Sequence, residues 1–399
     1  MPPSALPPYA LLHNPVRHYA WGSPTAIPAL TGTEPDGTPQ AELWMGAHPS
    51  APSSPAGGEP LDRLIADDPE GLLGPDTVRR FGPTLPFLFK VLAADRALSL
   101  QVHPTRAQAE AGYASEQARG IPLDAPWRVF KDREHKPELL CALGDFEALC
   151  GFRPPAGTAR LLDALGVLAP WARALRSRPA AEVLPALLRQ ALTAEAPQLA
   201  AVTEALRRTA AGGGPYAQAC AGYARAAEEY PGDPGLLAAL LLNHVRLTAG
   251  QALYLDAGVP HAYLRGVGVE LMANSDNVLR CGLTTKHVDV DGLLAVTSFR
   301  AAEPDVLGAR PIDHCEAEFP SPAEEFRLSR LRPGDTPSRV DLATPQILLC
   351  VAGRARLRAP GRPHLDLPSG ASAYLRPGAG PVELTGPGAE LFRATTGVR

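Results

Sequence analysis

The pattern of hydrophobic and polar residues changes twice along the chain. Up to about residue 154, short apolar runs such as Leu85–Leu92 and Leu98–His103 are bounded by glycine and proline, which is typical of buried β-strands. From about Gly157 to Leu242 the apolar residues recur with helical spacing, which predicts a block of several helices. The helices are predicted at Ala159–Leu165, Ala180–Leu192, Leu199–Arg208 and Tyr216–Glu229.

Strand patterns return after Asn243 and continue to the end of the chain. Ile347–Val351, Ala355–Arg358 and Ser372–Leu375 are examples, with turn residues between them. A mainly β protein with an α-helical insertion is the simplest fold class that fits. In a β-barrel or sandwich, strands that are distant in sequence become neighbours, so residues from distant segments can form one site.

Composition and charge narrow the class of protein. The 399 residues suffice for two or three domains, and 45% hydrophobic with 20% charged residues is a globular composition. A net charge of −4 gives no global support for binding nucleic acid or an anionic membrane. No apolar run approaches the roughly 18 residues of a membrane span. Because the N-terminus lacks the basic region of a secretory signal and no Cys-x-x-Cys pair occurs, we expect a cytoplasmic protein with free thiols.

Three segments carry side chains that suit one divalent metal. In the second predicted strand, Gln101 and His103 point to the same side, so both can reach one ion. Glu138 follows a proline in His-Lys-Pro-Glu, where extended backbone is expected. Segment 250–261 resembles the second cupin motif, which contains a metal-binding histidine, here His261. Taken singly, these residues could instead be the polar face of an edge strand, a surface ion pair and a turn histidine.

Charged residues also interrupt apolar strands or lie close to them. Glu270 lies in Val-Gly-Val-Glu-Leu-Met and Lys90 in Phe-Leu-Phe-Lys-Val-Leu, where a buried charge is costly unless it is paired or functional. Asp276 and Arg280 follow in Ser-Asp-Asn-Val-Leu-Arg. One such residue could extend its charged end to water. Several of them near candidate metal ligands favour a site for an anionic small molecule.

Seven motifs, which occur in order between about residues 13 and 291, together resemble the type I mannose-6-phosphate isomerase family. They are Tyr19–Gly22, Ala41–Pro49, Pro86–Leu92, Ser99–Pro104, His135–Glu138, Pro260–Leu264 and Ser275–Arg280. A single match would be weak, but seven in the correct order are specific. The C-terminal hundred residues are consistent with the family and add little motif signal.

The resemblance implies two cupin-like, jelly-roll β-barrel domains plus a helical domain. A catalytic zinc domain would comprise residues 1–154 and 243–300, and the helical insertion residues 155–242. A metal-free cupin-like domain would comprise residues 301–399. In line with that, segment 370–378 repeats the cupin strand pattern but no histidine follows it.

The resemblance also implies an activity, a cofactor and a set of site residues. The activity is interconversion of mannose 6-phosphate and fructose 6-phosphate by proton transfer through an enediolate. One zinc ion per chain would be bound by Gln101, His103, Glu138 and His261. Arg280 matches the active-site arginine of the family, and the other pocket positions are His48, Lys90, Ser99, His135, Lys136, Glu270, Asp276 and Lys286. The expected partner is a small sugar phosphate, without nucleic acid or membrane, in a monomer or weak homo-oligomer.

The roles of the pocket residues remain open at this level. Proton transfer next to a carbonyl needs a base and a group that stabilises an oxyanion. Glu270, Lys136 and His135 are all chemically capable; we favour Glu270 or Lys136 as the base. The candidates for opening the sugar ring are His48 and His135. Arg280 could hold the phosphate or the enediolate, and Lys90, Ser99 and Lys286 are candidates for the phosphate.

Three other functions fit parts of the pattern. The nearest is an isomerase of the same class that acts on glucose 6-phosphate, and the second is a non-catalytic zinc cupin that binds sugars. The third is a cupin that uses Fe(II) for oxygen chemistry. Such proteins usually present two histidines and one carboxylate with open positions, so a glutamine ligand and nearby cations argue against it.

Overall fold

Strands dominate the computed structural model, which describes residues 6–397. Within that range the chain forms 23 strands and 12 helices, which agrees with a mainly β protein that contains helices. No helix in this range is long and apolar enough to cross a membrane. The first five residues, part of the N-terminus assessed above for a secretory signal, lie outside the described residues, as do the last two.

Eight strands and five helices precede the helical insertion. The strands are β1 (Tyr9–His13), β2 (Val16–Arg17), β3 (Glu42–Met45), β4 (Ser54–Pro55), β5 (Phe87–Ala94), β6 (Leu100–Val102), β7 (Glu138–Ala142) and β8 (Phe146–Phe152). The helices are α1 (Ala26–Thr31), α2 (Leu61–Asp67), α3 (Pro69–Leu73), α4 (Pro75–Phe81) and α5 (Arg106–Ala118).

Six consecutive helices follow, where the apolar spacing predicts a helical block. They are α6 (Pro155–Leu165), α7 (Ala169–Ser177), α8 (Ala180–Leu192), α9 (Ala196–Gly212), α10 (Ala217–Glu229) and α11 (Gly235–Leu240). Their apolar faces share one core, in which Leu184 and Leu237 are fully buried. The same core includes Leu100 and Leu149 from β6 and β8. The helices therefore pack directly against strands of the neighbouring sheet.

Strands return after the helices. The first group is β9 (Leu242–Leu247), β10 (Gln251–Leu255), β11 (His261–Ala273) and β12 (Leu279–Gly282), followed by α12 (Val290–Val296). The second group is β13 (Leu307–Gly308), β14 (Arg310–Pro311), β15 (Glu316–Phe319), β16 (Arg327–Leu331), β17 (Ser338–Val340), β18 (Gln346–Ala352), β19 (Arg354–Arg358), β20 (Leu365–Pro368), β21 (Ser372–Leu375), β22 (Val382–Thr385) and β23 (Glu390–Thr395).

The long strand β11 is central to an eleven-stranded sheet. It pairs antiparallel with β5 on one side and with β7 on the other, and its first residues pair with β6 and β8. The register places Glu270 opposite Lys90 and His261 opposite Gln101. Residues directly opposite each other in an antiparallel pair have Cβ atoms about 5 Å apart, so each pair meets on one face of the sheet.

The C-terminal strands form an eight-stranded sheet in the order β14-β15-β16-β23-β18-β21-β1-β4 and a four-stranded sheet in the order β17-β22-β19-β20. The first of these includes two strands from the beginning of the chain. Strand β1 runs antiparallel to β21, with Tyr9 opposite Leu375. Conversely, β13 pairs with β10 in the sheet that contains β11. Strands are thus exchanged across the sequence boundary expected near residue 301.

The sequence pattern indicates extended runs before residue 154, but five helices also lie there. Four of them have only five to seven residues. A helix this short contains too few apolar residues to show a helical period in the sequence. The fifth, α5, has 13 residues and starts with a capping box in which Thr105 and Gln108 bind each other's backbone amides. That Thr-x-x-Gln spacing is a recognised helix start and could have been read from the sequence.

Candidate active site

Four side chains converge where β6, β7 and β11 meet. Gln101 lies on β6, His103 follows that strand, and Glu138 and His261 are the first residues of β7 and β11. His103 Nε2 lies 3.3 Å from Glu138 Oε1, and His261 Nε2 lies 3.3 Å from Glu138 Oε2. The Gln101 amide nitrogen lies 3.3 Å from His261 Nε2. The fold thus brings together the four side chains that the sequence indicates as metal ligands.

Backbone carbonyls orient both imidazoles. His103 Nδ1 lies 2.7 Å from the carbonyl oxygen of Asn277, and His261 Nδ1 lies 2.9 Å from that of Val259. When each Nδ1–H donates to its carbonyl, each Nε2 presents a lone pair towards Glu138. Hydrogen bonds of this kind, from the ring nitrogen that does not bind the ion, are usual for metal-binding histidines.

Burial and protonation state also fit a metal centre. His103, Glu138 and His261 are at most 2% exposed, and their ligand atoms lie within 4.8 Å of one another. Within the described residues, His103 Nε2 and Glu138 Oε2 are buried without a hydrogen-bond partner, which is costly unless an ion binds them. Burial lowers the pKa of His103 to about 4, so the imidazole is neutral, as a metal ligand must be.

The carboxylate between the two histidines is ionised. Burial alone would raise the pKa of Glu138, but neighbouring His103 and the Lys136 ammonium lower it well below its ordinary value. Lys136 Nζ lies 3.5 Å from Glu138 Oε1 and its side chain is 13% exposed. Two imidazoles, one carboxylate and one amide are donors that suit zinc.

A buried lysine between two carboxylates forms the floor of the cavity beside this cluster. Lys90 Nζ lies 3.3 Å from Glu270 Oε2, 3.6 Å from Glu42 Oε1 and 5.3 Å from the centre of the Trp44 ring. Burial alone would lower the pKa of Lys90, but the two carboxylates raise it above its ordinary value, so the ammonium stays charged. The charge of Lys90 is therefore balanced by Glu42 and Glu270. The sequence suggests instead a lysine that is free to bind phosphate.

Glu270 differs from Glu138 in its electrostatics. Burial raises its pKa, the Lys90 ammonium opposes that effect, and the charges of Glu138 and Glu42 add to it, so the pKa lies above the ordinary value. Its Oε1 accepts a hydrogen bond of 2.8 Å from the buried Tyr263 hydroxyl. A carboxylate with a raised pKa beside a metal cluster has the properties of a general base.

The cavity has a volume of about 730 Å³, and some of the residues that line it are cations with no acidic partner in the described part of the chain. Arg280, Lys286 and Lys131 are three of these cations, and Ser99 lies among the same lining residues. Burial lowers the pKa of Arg280; burial together with the charges of Arg280 and Lys131 lowers that of Lys286. Within residues 6–397 no carboxylate lies within 4 Å of the Arg280 guanidinium or the Lys286 ammonium. Such a cluster suits an anionic group.

His48 and Asp276 form a pair at the edge of this cavity. His48 Nε2 lies 3.4 Å from Asp276 Oδ1, and His48 Nδ1 lies 2.8 Å from the Ser50 hydroxyl. The hydrogen bond with His48 lowers the pKa of Asp276, although burial opposes it. Both residues also line a second cavity of about 1020 Å³ on the other side of the pair. The pair therefore borders both cavities.

His135 lies apart from the proposed metal ligands, although it shares the second cavity with His48 and Asp276. Its Nε2 lies 2.7 Å from Glu325 Oε1, and it lines the second cavity, whereas Lys136 lines the first. Consecutive side chains of an extended segment point to opposite sides, which explains the difference. The hypotheses that His135 opens the sugar ring or acts as the base therefore stay predictions, and in this structure its Nε2 is bound to Glu325.

Asn277 is a site residue that sequence reasoning did not single out. It is 0% exposed, and its Oδ1 accepts hydrogen bonds from the backbone amides of Lys131 and Asp132 at 2.7 and 3.2 Å. Its Nδ2 donates to the carbonyls of Asp132 and Glu134 at 3.0 and 2.8 Å. Asn277 thus holds the turn that leads to Glu138 while its own carbonyl orients a histidine. The sequence signal that could have identified Asn277 is its position inside the Ser275–Arg280 motif.

Comparisons with known proteins agree with this geometry. A family model described as "Phosphomannose isomerase type I, catalytic domain" matches residues 10–155. The chain is 40% identical over 385 residues to the mannose-6-phosphate isomerase of Escherichia coli (strain K12), and the match covers 94% of this chain and 97% of that protein. The chain belongs to the type I mannose-6-phosphate isomerase family.

Members of this family from distant organisms, and solved structures, resemble nearly the whole chain. Mannose-6-phosphate isomerase 2 of Arabidopsis thaliana is 32% identical over 382 residues, covering 86% of this chain and 83% of that protein. A crystal structure of mannose 6-phosphate isomerase from Salmonella typhimurium, bound to its substrate fructose 6-phosphate and to zinc, matches with a TM-score of 0.90 at 37% identity and covers 98% of this chain and 100% of that one. The similarity therefore includes the helical block and the C-terminal strands.

Proposed function

We propose that this chain is a zinc-dependent aldose–ketose isomerase that interconverts mannose 6-phosphate and fructose 6-phosphate. One observation carries the proposal: Glu138, the carboxylate of a buried His–Glu–His cluster, lines a cavity together with cations that have no acidic partner among the described residues. The names of the relatives support the substrate, since they are mannose-6-phosphate isomerases, and one related structure binds fructose 6-phosphate with zinc. The reaction removes a proton from the carbon beside a carbonyl and returns it to the neighbouring carbon through an enediolate.

The proposed zinc ligands are Gln101, His103, Glu138 and His261. When bound, zinc supplies positive charge that favours the negative oxygens of an enediolate. The chain supports this arrangement with two carbonyls that set the imidazole tautomers. It also excludes water from the ligand atoms, since the two histidines and the glutamate are buried.

Glu270 is the proposed base, because its raised pKa suits both taking and returning a proton. The Tyr263 hydroxyl and the Lys90 ammonium bind its two oxygens and fix the direction in which it can act. Lys136, beside the ligand carboxylate, is placed to donate to sugar oxygens. A Glu270→Gln variant that kept its zinc and near-normal turnover would remove Glu270 as the base.

Ring opening and phosphate binding are assigned to other walls of the cavity. The His48–Asp276 pair can move a proton to or from the ring oxygen through His48 Nε2, which Asp276 orients. Ser99 and Lys286 are the proposed phosphate donors, because a hydroxyl and an ammonium that line the same cavity suit a phosphate group. Arg280 keeps its charge at any working pH and is proposed to hold the enediolate or the phosphate.

We also propose the domain division suggested by the resemblance. Residues 1–154 with 243–300 would form a cupin-like catalytic domain, residues 155–242 a helical domain and residues 301–399 a metal-free cupin-like domain. The shared core of α6–α11 supports the helical unit. Strands β1 and β4 belong to the sheet of the C-terminal strands, and β13 belongs to the sheet that contains β11, so the sheets cross the boundary near residue 301. All six cysteines are free thiols, which supports a cytoplasmic location. A monomer or weak homo-oligomer is proposed.

A coupled assay tests the function. The zinc-loaded chain is expected to form fructose 6-phosphate from mannose 6-phosphate. Chelation should lower its rate by at least about 100-fold, and one equivalent of zinc should restore it. The His103→Ala variant should remain inactive after zinc is returned, whereas His18→Ala, at an exposed position, should behave as the unmodified chain. Faster turnover of glucose 6-phosphate, or a rate that is insensitive to chelation, would contradict the proposal.

A further inference from the structure

One carboxylate joins the C-terminal strands to two of the three segments that carry proposed metal ligands. Glu325 lies between β15 and β16 and is 7% exposed. Its Oε1 accepts a hydrogen bond of 2.7 Å from His135 Nε2 and one of 3.0 Å from Arg106 Nη2. His135 precedes Glu138 by three residues, and Arg106 follows His103 by three residues. Glu325 therefore contacts the chain close to two of the four ligands without touching either.

We propose that Glu325 is a positioning residue for the metal centre and for Lys136. It does not line the cavity that Gln101 and Glu138 line, but the neighbouring one of about 1020 Å³. Its influence on the reaction would pass through His135, which is adjacent to Lys136 in the chain, and through Arg106. The inference rests on the proposed isomerase function and assigns part of the active-site geometry to the C-terminal third of the chain.

The physical basis is a pair of charge-assisted hydrogen bonds to a buried carboxylate from two partly exposed donors. Burial alone would raise the pKa of Glu325, but the hydrogen bond with His135 and the charge of Arg106 lower it, so the carboxylate is ionised. Hydrogen bonds to an ionised acceptor are about twice as strong as neutral ones. Both donors converge on one oxygen, so Glu325 fixes the separation of the two segments as well as the position of each.

The segment that precedes Glu138 is held from two sides. Asn277 binds the backbone of residues 131–134, as described above, and Glu325 binds the side chain of His135. Arg106 also forms an ion pair with Glu134, which closes a ring of contacts between α5, this segment and the C-terminal strands. Because a misplacement of about 1 Å in a catalytic group can cost 100-fold in rate, loss of one of these supports has a measurable effect.

The neighbouring residue provides a matched control. Glu324 has the same charge, lies in the same loop and pairs with Arg80 on α4, and both of these side chains are more than half exposed. Helix α4 carries none of the proposed ligands. An exposed ion pair of this kind contributes little to stability, because water screens it. Glu324→Ala therefore removes an acidic side chain from the same loop without removing support from the metal-binding segments.

The test compares Glu325→Ala, Glu325→Asp and Glu324→Ala in the full-length, zinc-loaded chain. We expect Glu325→Ala to lower kcat for mannose 6-phosphate by about 10- to 100-fold with less than about threefold change in KM, because the phosphate donors stay in place. Zinc should be lost at about tenfold lower chelator concentration, measured as metal content after dialysis. Glu325→Asp keeps the charge but withdraws the carboxylate by one methylene, so kcat should fall at least about threefold. Glu324→Ala should stay within about twofold of the unmodified chain.

Several results would overturn the inference. One is a Glu325→Ala variant that matches Glu324→Ala in kcat and in zinc retention. If Glu325→Ala does not fold, a folded Glu325→Asp variant with unchanged kcat and zinc retention decides against it. Another is strict additivity of Glu325→Ala with His135→Ala in kcat, because residues that act through each other are non-additive. If the unmodified chain does not convert mannose 6-phosphate, the proposed function fails, while zinc retention still tests the positioning role.

Discussion

Replacing Asn277 by alanine removes the side chain that holds the turn before Glu138. Four backbone groups lose their partner: the amides of Lys131 and Asp132 and the carbonyls of Asp132 and Glu134. A hydrogen bond of this type contributes about 1 kcal/mol net. Lys131 is exposed, so water can replace part of the loss. We therefore expect the free energy of unfolding to fall by about 2–3 kcal/mol.

This loss should be visible both in stability and in metal binding. For domains of 150–250 residues, each kcal/mol shifts the unfolding temperature by about 2–4 °C, so the Asn277→Ala variant should unfold about 4–12 °C lower. Because the carbonyl that orients His103 lies on the same residue, zinc affinity should fall by about tenfold. Calorimetry of the zinc-free chain and chelator competition of the loaded chain measure the two effects separately.

Asn274 offers a control three residues earlier. Its Nδ2 makes one hydrogen bond of 3.3 Å, to the Leu85 carbonyl, and its Oδ1 is buried without a hydrogen-bond partner among the described residues. Asn274→Ala should therefore cost less than about 1 kcal/mol and leave zinc affinity unchanged. If both variants unfold at the same temperature and retain zinc equally, the role assigned to the Asn277 side chain is wrong.

Three further predictions concern substrate, metal and acid. Lys286→Ala should raise KM for mannose 6-phosphate by about tenfold with a smaller change in kcat, because a phosphate donor binds ground and transition states alike; an unchanged KM in steady-state kinetics would contradict this. Zinc at 100 times its dissociation constant should stabilise the chain by about 2.7 kcal/mol over the chelated form, and calorimetry that finds no shift would count against a metal site. Burial alone would raise the pKa of Glu147, but His244, whose Nε2 lies 3.7 Å from Glu147 Oε1, and the Arg225 charge lower it below its ordinary value. The ionised carboxylate therefore stabilises the fold above about pH 4.5, and this contribution is lost as the pH falls. Urea midpoints of Glu147→Gln should depend less on pH between about 5 and 3, and equal slopes would refute the assignment.

The sequence predicts the metal cluster well because its signals are local. Alternation along one strand places Gln101 and His103 on one side, and the turn before β11 places His261. Strand pairing then brings these segments together, in the way expected for residues from distant strands of a β protein. The helical block is also predicted from a local signal, the spacing of apolar residues along the chain. For example, α8 spans residues 180–192, as predicted.

Roles that depend on distant partners could not be predicted in the same way. Lys90 looks like a free cation in its strand, and only the fold shows Glu42 and Glu270 beside its ammonium. His135 belongs to a ligand-bearing motif, yet its partner Glu325 is 190 residues away. Such contacts depend on which sheets pack together, and a single chain carries no local pattern for that.

The pairing of β1 with β21 has a consequence for how the molecule is made. Tyr9 and Leu375, which lie opposite each other, are separated by about 370 residues of chain. At about 5–20 residues per second, a ribosome needs roughly 20–70 s between the synthesis of these two strands. During that interval the edge of β1 that will face β21 has no partner for its backbone amides and carbonyls, and an unpaired edge can associate with other chains. The eight-stranded sheet therefore closes only after translation is nearly finished, and the nascent chain must keep its N-terminal strand from aggregating until then.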